Sequence, residues 1–307
     1  MRLVKGLLDR ALAAMELLAV DPQWRRLSDV ASALDLQKGP AHRLLAEMAA
    51  LGWVEQDQAT DRYRLTLKLA LLGQQYLRGT GLPGVVQPVL DDLAARSREL
   101  VRLTVVQGPA LHWFASAQGA LPGLVYQPAL NGRPQLHTTA NGKAWLATLD
   151  DAQAVRLALA DGLGAAPKPG VVMGPRAIGS VEHLLRELKT TRRRGYGLAV
   201  EEAEPGVKAI AVAVRTPDDG RTVGTMSIAG PLLRMGPERD AEFHALLRQA
   251  ADTLGLVWPR PDQAQPGGIA PSAAAASPAP AARAAPAATI PDSPSGAFRA
   301  PRRKRAA

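Results

Sequence analysis

Two domains of mixed α and β structure, followed by a tail that does not fold, are what this 307-residue sequence predicts. Three observations lead there. The chain is longer than one hydrophobic core usually serves. Apolar residues recur with helical period near the N-terminus, whereas beyond Pro83 helical stretches alternate with short apolar runs that read as strands. From Pro259 onward the composition changes: 10 of 49 residues are Pro, 17 are Ala, and Phe298 is the only aromatic. Such a segment buries too little apolar surface to offset the entropy of ordering it.

Composition narrows the class. Hydrophobic residues make up 47% and aromatics only 4%, so the cores must be built mostly from Leu, Val and Ala. No apolar run reaches the length of a membrane span. The N-terminal stretch LVKGLLDRALAAMELLAV is interrupted by Lys5, Asp9, Arg10 and Glu16, which makes it an amphipathic helix and not a signal peptide; the cytoplasm is the expected location. Absence of cysteine excludes disulfides and thiolate zinc sites. The net charge is +9, but residues 259–307 hold 7 of the 37 basic and only 2 of the 28 acidic residues, so +5 belongs to the tail and its terminal cluster Arg302-Arg303-Lys304-Arg305. Net charge is therefore poor evidence that the folded part binds nucleic acid.

The order of the N-terminal elements is better evidence. Val4, Leu7, Leu8, Ala11, Leu12, Met15 and Leu18 form one apolar stripe over residues 4–19, ended by Asp21-Pro22. Ser28 is placed as the N-cap of a short second helix with Asp29 in its first turn and Val30, Ala31 and Leu34 inward. In DLQKGPAHRLL, Gly39-Pro40 starts a third helix, with Gly39 as cap and Pro40 first, where its missing N–H has no partner to lose. Ala41, Leu44, Leu45 and Met48 then lie on one face and Gly39, Arg43, Ala46 and Ala50 on the other. This is a helix-turn-helix with a slim outer face, donors Lys38, His42 and Arg43 at its leading end, and a second helix able to enter the major groove N-terminus first. Trp53-Val54-Glu55 and Arg62-Tyr63-Arg64-Leu65 read as two strands of a wing, with Tyr63 and Leu65 inward. Arg62 and Arg64 point outward, toward phosphates or the minor groove.

Residues 66–79, TLKLALLGQQYLRG, form a linker-like helix whose wide apolar surface fits a second copy or the rest of the same chain. Beyond it QPVLDDLAARSREL is helical, VRLTVVQ and LHWFAS are strands, NGKAWLATL and residues 181–194 are helices, KAIAVAVR and RTVGTMSIAG are strands, and 237–256 is the last helix. Arg192-Arg193-Arg194 before Gly195 reads as C-terminal capping chemistry rather than a second DNA patch. In TANGKA, His137 stands where a phosphate loop needs its first Gly and Ala144 where it needs Ser or Thr, so a nucleotide site is rejected. A loop feeding a helix N-terminus that can hold a carboxylate, helped by Thr138, Thr139 and Asn141, is one reading; simple capping is the other. The five histidines have no ligand spacing, so no metal or other cofactor is expected, and Glu201, Glu202 and Glu204 read as a solvated loop rather than a catalytic pair.

Together these pieces resemble the IclR family of bacterial transcriptional regulators over about residues 4–258. The resemblance rests on LSDVASALDLQKGPAHRLLAEMAALGWVEQD and RYRL, then on LHTTANGKAWLA, RRRGYGLAVEEAEPGVKAIAVAV and GTMSIAGP. It implies a winged helix-turn-helix over 1–65, a linker helix over 66–82 and an α/β GAF-like effector-binding domain over 83–258; the basic tail over 259–307, expected from its composition to be disordered, lies outside it. It also implies a homodimer or homotetramer on a palindromic double-stranded DNA operator. Ser28, Lys38, Gly39, Pro40, His42, Arg43, Arg62 and Arg64 are the DNA-reading candidates. Matched to the family, the effector pocket falls on Tyr126, Thr139, Ala140, Asn141, Val207, Ala209, Ser227 and Ala229. Many members carry Cys in place of Ala209, a residue such as Ser in place of Ala229, Pro in place of Ala213 and Gly in place of Asp35. The first two departures imply a less polar pocket, suited to a small organic acid with an apolar or aromatic body. The function expected is a DNA-binding regulator tuned by a small molecule. Its rivals are a metabolic enzyme with a winged-helix dimerisation module, for which no nucleophile or acid–base set is present, and a sensor that binds protein partners through the basic tail.

Overall fold

The computed structural model describes residues 6–128, 133–166 and 173–259. The predicted tail therefore lies, from residue 260 onward, outside the described residues. Among those described, no helix is long and apolar enough to cross a membrane.

Helices α1 (Leu7–Val20), α2 (Leu27–Ala33) and α3 (Lys38–Ala50) pack Ala14, Leu18, Val30, Leu44, Leu45 and Met48 around one small core. Two details of capping differ from the sequence expectation. Ser28 is not an N-cap. It lies exposed inside α2, its hydroxyl on Asp29, because a backbone bridge between Arg25 and Tyr63 (2.9 and 2.8 Å) holds the preceding chain extended and the helix starts directly after Arg26. Nor is Gly39 the cap of α3: Gln37 is, so Pro40 is the third helical residue rather than the first. The reason Pro40 is tolerated survives the shift. The first helical bond is from Ala41 N–H to Gln37 O (3.1 Å), so every N–H before it, including the one Pro40 lacks, is without an intrahelical partner. Between α2 and α3, Asp35 adopts φ +55°, and the N–H groups of Asp35 and Leu36 return to Ser32 and Ala31 (3.2 and 2.9 Å), a Schellman-type turn in a residue that tolerates the left-handed region.

The wing strands β1 (Val54–Gln56) and β2 (Tyr63–Leu65) pair antiparallel with Tyr63 buried against the three helices. Helix α4 (Lys68–Thr80) follows and buries no side chain, leaving Leu67, Leu71 and Tyr76 well exposed. Its start is tied to the winged helix: Lys68 Nζ donates to Leu51 O (2.7 Å) and lies over the Trp53 ring. Gly81, at φ +68°, ends α4 and begins α5 (Leu82–Ser97), which starts earlier than the sequence suggested and so encloses Pro88.

The remaining strands are β3 (Leu100–Gln107), β4 (Ala110–Gln118), β5 (Gly197–Val200), β6 (Val207–Arg215) and β7 (Thr222–Pro231). They form one sheet in the order β4-β3-β7-β6-β5, every neighbour antiparallel. The sequence reading missed the four-residue β5. It also missed helix α7 (Asp151–Ala160), which follows α6 (Ala140–Leu146) and precedes α8 (Val181–Arg194). Val86, Leu90 and Leu93 of α5 and Phe243, Leu247 and Leu254 of α9 (Asp240–Val257) cover one face of the sheet. On the other, Ala140 and Ala144 of α6 lie against Ala199 and Ala211. This approach requires glycine: a Cβ on Gly197 would sit 2.2 Å from Ala140 O, and one on Gly142 2.4 Å from the Leu136 backbone. Two arginines of the triplet, Arg192 and Arg194, are held in structural contacts. Arg192 clamps Ala147 O, Leu149 O and Asp151, Arg194 binds Glu187 and Tyr196 O, and Gly195 closes the helix at φ +86°.

Candidate DNA-reading surface and effector pocket

The outer face of α3 is open. His42, Arg43, Ala46, Glu47 and Ala50 are exposed, as are Lys38 and Gly39 at its leading end, with Pro40 half-buried beside them. Opposite them Ala41, Leu44, Leu45 and Met48 are buried, so the apolar stripe orients the polar one. No side chain crowds Gly39. The helix can approach a surface as wide as its own backbone plus a few donors, which suits a groove. The two wing arginines differ. Arg64 is exposed but already engaged: Nε donates to Glu55 Oε1 (2.6 Å), and its guanidinium lies 4.3 Å from the centre of the Trp24 ring. Arg62 is half-buried at the start of β2.

All eight pocket residues matched from the family, Tyr126, Thr139, Ala140, Asn141, Val207, Ala209, Ser227 and Ala229, line one cavity of about 240 Å³. Not all of them face it with free polar groups. Thr139 is the N-cap of α6, donating to Gln135 O (2.5 Å) and accepting Gly142 N–H (3.1 Å); of the two readings of TANGKA, capping is what its hydroxyl does. Asn141 donates to Thr225 Oγ1 (3.0 Å), joining α6 to β7.

The cavity's charges come from residues the sequence reading passed over. Arg102 of β3 is only 7% exposed, its guanidinium lies 3.3 Å from the centre of the Trp113 ring, and its Nη2 has no hydrogen-bond partner among the described residues. Burial pulls its pKa down to about 10, opposed by Tyr126 and Glu204, so it remains a cation at neutral pH. Across the cavity the Tyr126 hydroxyl donates to Glu204 Oε1 (2.9 Å), and burial followed by the charge of Glu204 pushes the phenol pKa up. The pocket is thus more polar than the alanines at 209 and 229 implied. A signal for Arg102 was available: Val101 and Leu103 belong to the sheet's main core, so alternation puts Arg102 on the α6 side of a strand covered on both faces.

The glutamate loop is not solvated either. Glu202 grips Lys143 Nζ with both oxygens (2.7 and 2.8 Å), and Lys143, fully buried on α6, also lies 3.5 Å from Glu187. Desolvation raises the pKa of Glu202, with Lys143 opposing. Glu201 accepts Gly206 N–H (3.2 Å) and pairs with Arg176. Lys143 stands one turn after Ala140, so this network pins the pocket's helix against the loop that carries Glu204.

A winged helix with an unobstructed recognition face, joined to a sheet domain that holds a charged cavity, defines the class of a DNA-binding regulator. Residues 7–58 match the IclR helix-turn-helix domain and residues 74–255 the C-terminal domain of the bacterial transcriptional regulator IclR. The chain is 34% identical to the glycerol operon regulatory protein of Streptomyces coelicolor over 80% of its own length and 92% of that protein's. It is 28% identical to the transcriptional repressor IclR of Escherichia coli over 82% and 89%. In fold it resembles an IclR homolog from Microbacterium hydrocarbonoxydans solved with 4-hydroxybenzoate (TM-score 0.65, 24% identity, 81% of this chain and 98% of that one). The chain belongs to the IclR family. It is a DNA-binding transcriptional regulator, and not an enzyme.

Proposed function

We propose that this regulator binds a palindromic operator as a homodimer or homotetramer in the cytoplasm, and that a small organic acid in the Arg102 cavity sets its affinity for DNA. Lys38, Gly39, Pro40, His42 and Arg43 present the major-groove edge, Ser28 and the wing residues Arg62 and Arg64 the flanking phosphates. The exposed leucines of α4 are the natural contact with a second copy. Linkage supplies the mechanism: a ligand that prefers one arrangement of the effector domains alters, through α4, the spacing of two recognition helices. A divide into 1–65, 66–82 and 83–258 fits this division of labour.

One observation carries the effector class. A guanidinium that is nine-tenths buried, stacked on Trp113 and left with an unsatisfied N–H, costs stability unless something anionic completes it. A carboxylate does so, and Ala209, Ala229 and Val207 leave space for an apolar body. The test is a thermal-shift screen of small carboxylic acids, followed by calorimetry and operator gel shifts. A hit should lose its binding in Arg102→Gln and in Ala209→Trp, which fills the cavity, while both variants still bind the operator. A hit that binds Ala209→Trp with parental affinity places the effector elsewhere.

A further inference from the structure

Two ionic side chains of opposite sign in the cavity's lining, Arg102 and Glu204, leave each other unsatisfied; the exposed Arg133 is a third ionic group there. On β3, the Nη2 group of Arg102 has no hydrogen-bond partner among the described residues. On the loop between β5 and β6, Glu204 lines the same space and takes a hydrogen bond from the Tyr126 hydroxyl at 2.9 Å, a neutral donor. The two ionic groups are close enough for Glu204 to favour the charged form of Arg102. The indole of Trp113 covers one face of the guanidinium, so a ligand reaches it from its edge or its other face. A plain carboxylate entering this space satisfies Arg102 but brings a second negative charge near Glu204. Like charges so placed oppose binding. A plain amine makes the converse error at Arg102. A molecule bearing both groups completes both poles and leaves the net charge of the lining unchanged.

We propose, resting on the reading of Arg102 as a carboxylate anchor, that the effector is a small zwitterion: an amino acid in the broad sense, its carboxylate on Arg102 and its ammonium on Glu204. Glu204 is then the residue that selects among organic acids. The Tyr126 hydroxyl holds the carboxylate of Glu204 in place and closes that end of the cavity. The Thr139 hydroxyl does not take part in selection, because it is already committed to Gln135 and Gly142, and the Asn141 amide nitrogen is committed to Thr225.

The test uses the full-length protein and three sets of linear probes: ω-amino acids of four to six carbons, the alkanoates of the same lengths, and the matching ω-hydroxy acids. Varying the length lets the chain span the distance between the poles. Calorimetry should show the best ω-amino acid binding at least about tenfold tighter than its alkanoate, the gain of one charge-assisted over no hydrogen bond, with the hydroxy acid between them. Glu204→Gln keeps an acceptor for Tyr126 but removes the charge; it should reduce that preference to about twofold or less without weakening the alkanoate. The proposal is overturned if the amino group confers no gain in the parent protein, or if the gain persists in Glu204→Gln. The anchor reading fails separately. If Arg102→Gln leaves alkanoate affinity unchanged, the carboxylate does not sit on Arg102; if no probe binds, both readings fall together. Alkanoates that bind through Arg102 while the amino group adds nothing leave the anchor standing and remove only the zwitterion.

Discussion

Arg43 on α3 and Arg102 on β3 use one side chain for opposite purposes. The first is exposed on the outer face of a helix whose buried residues are all apolar. The second is buried, stacked on an aromatic ring, and short of a partner. A surface arginine costs the fold nothing and waits for a polyanion. A buried one lowers stability until its ligand arrives, and that deficit is what the ligand can recover. The outer face of α3 can therefore be altered without touching the fold, whereas a change at a buried ionic group of the effector half also registers in stability.

The largest expected effect breaks the effector half. Lys143→Ala leaves the Glu202 carboxylate, with 12% of its side chain exposed, facing an empty space where its cation was. Removing one partner of a buried pair costs about 3–5 kcal/mol, which urea unfolding would register as a drop in midpoint. Adding Glu202→Gln removes the stranded charge and should return part of the loss. Equal stability of the single and double variants would show that Glu202 is already neutral in the fold.

Arg43→Ala is the matching change in the other half. Operator affinity should fall by about 1–3 kcal/mol, the worth of a good base contact, with the unfolding curve superimposable on the parent's. Unchanged affinity in a gel-shift titration would take this face of α3 out of the groove.

That asymmetry also decides what could be read from the sequence. The winged helix is built from contiguous residues with helical period, a turn and a short hairpin, so its elements and the two faces of α3 were legible. The stripe expected on α1 was not: Leu7, Leu8 and Leu12 are exposed, Ala14 and Leu18 carry the buried face, and Val4 lies outside the described residues. The caps were misplaced too, because the bridge from Arg25 to Tyr63 that sets the start of α2 spans 38 positions of sequence. The pocket draws on β3, β4, the loop before α6, α6 itself, the loop after β5, β6 and β7. Its family-matched lining was found by resemblance, yet Arg102 and Glu204 were missed, and Glu202 was taken for a solvated residue. Nothing local distinguishes Glu202 and Glu204 from surface glutamates. Their partners, Lys143 and Tyr126, lie 59 and 78 positions away.

The smallest effect expected is a dependence on acid that belongs to the effector half alone. Burial lowers the pKa of His112, His137 and His244, with Arg133 adding to the first and Arg248 to the last, and Asp161 opposing at His137. All three lie beyond residue 100. A histidine whose folded pKa is depressed binds fewer protons folded than unfolded once the pH drops below the ordinary value of 6.5. Unfolding then takes up protons, so stability is intact above that pH and is lost as the pH falls toward each depressed folded value. Each such histidine contributes no more than about 1.4 kcal/mol per pH unit across its window. His137 should dominate, being 2% exposed with an Nδ1 that has no hydrogen-bond partner among the described residues. Melting temperatures measured from pH 8 down to pH 5 should therefore decline below about 6.5 in the parent protein and decline less in His137→Gln, whose side chain cannot be charged. Parallel curves for the two would mean that His137 gains its proton without cost to the fold, and that the buried half of the molecule tolerates an added cation more readily than its unpartnered Arg102 suggests.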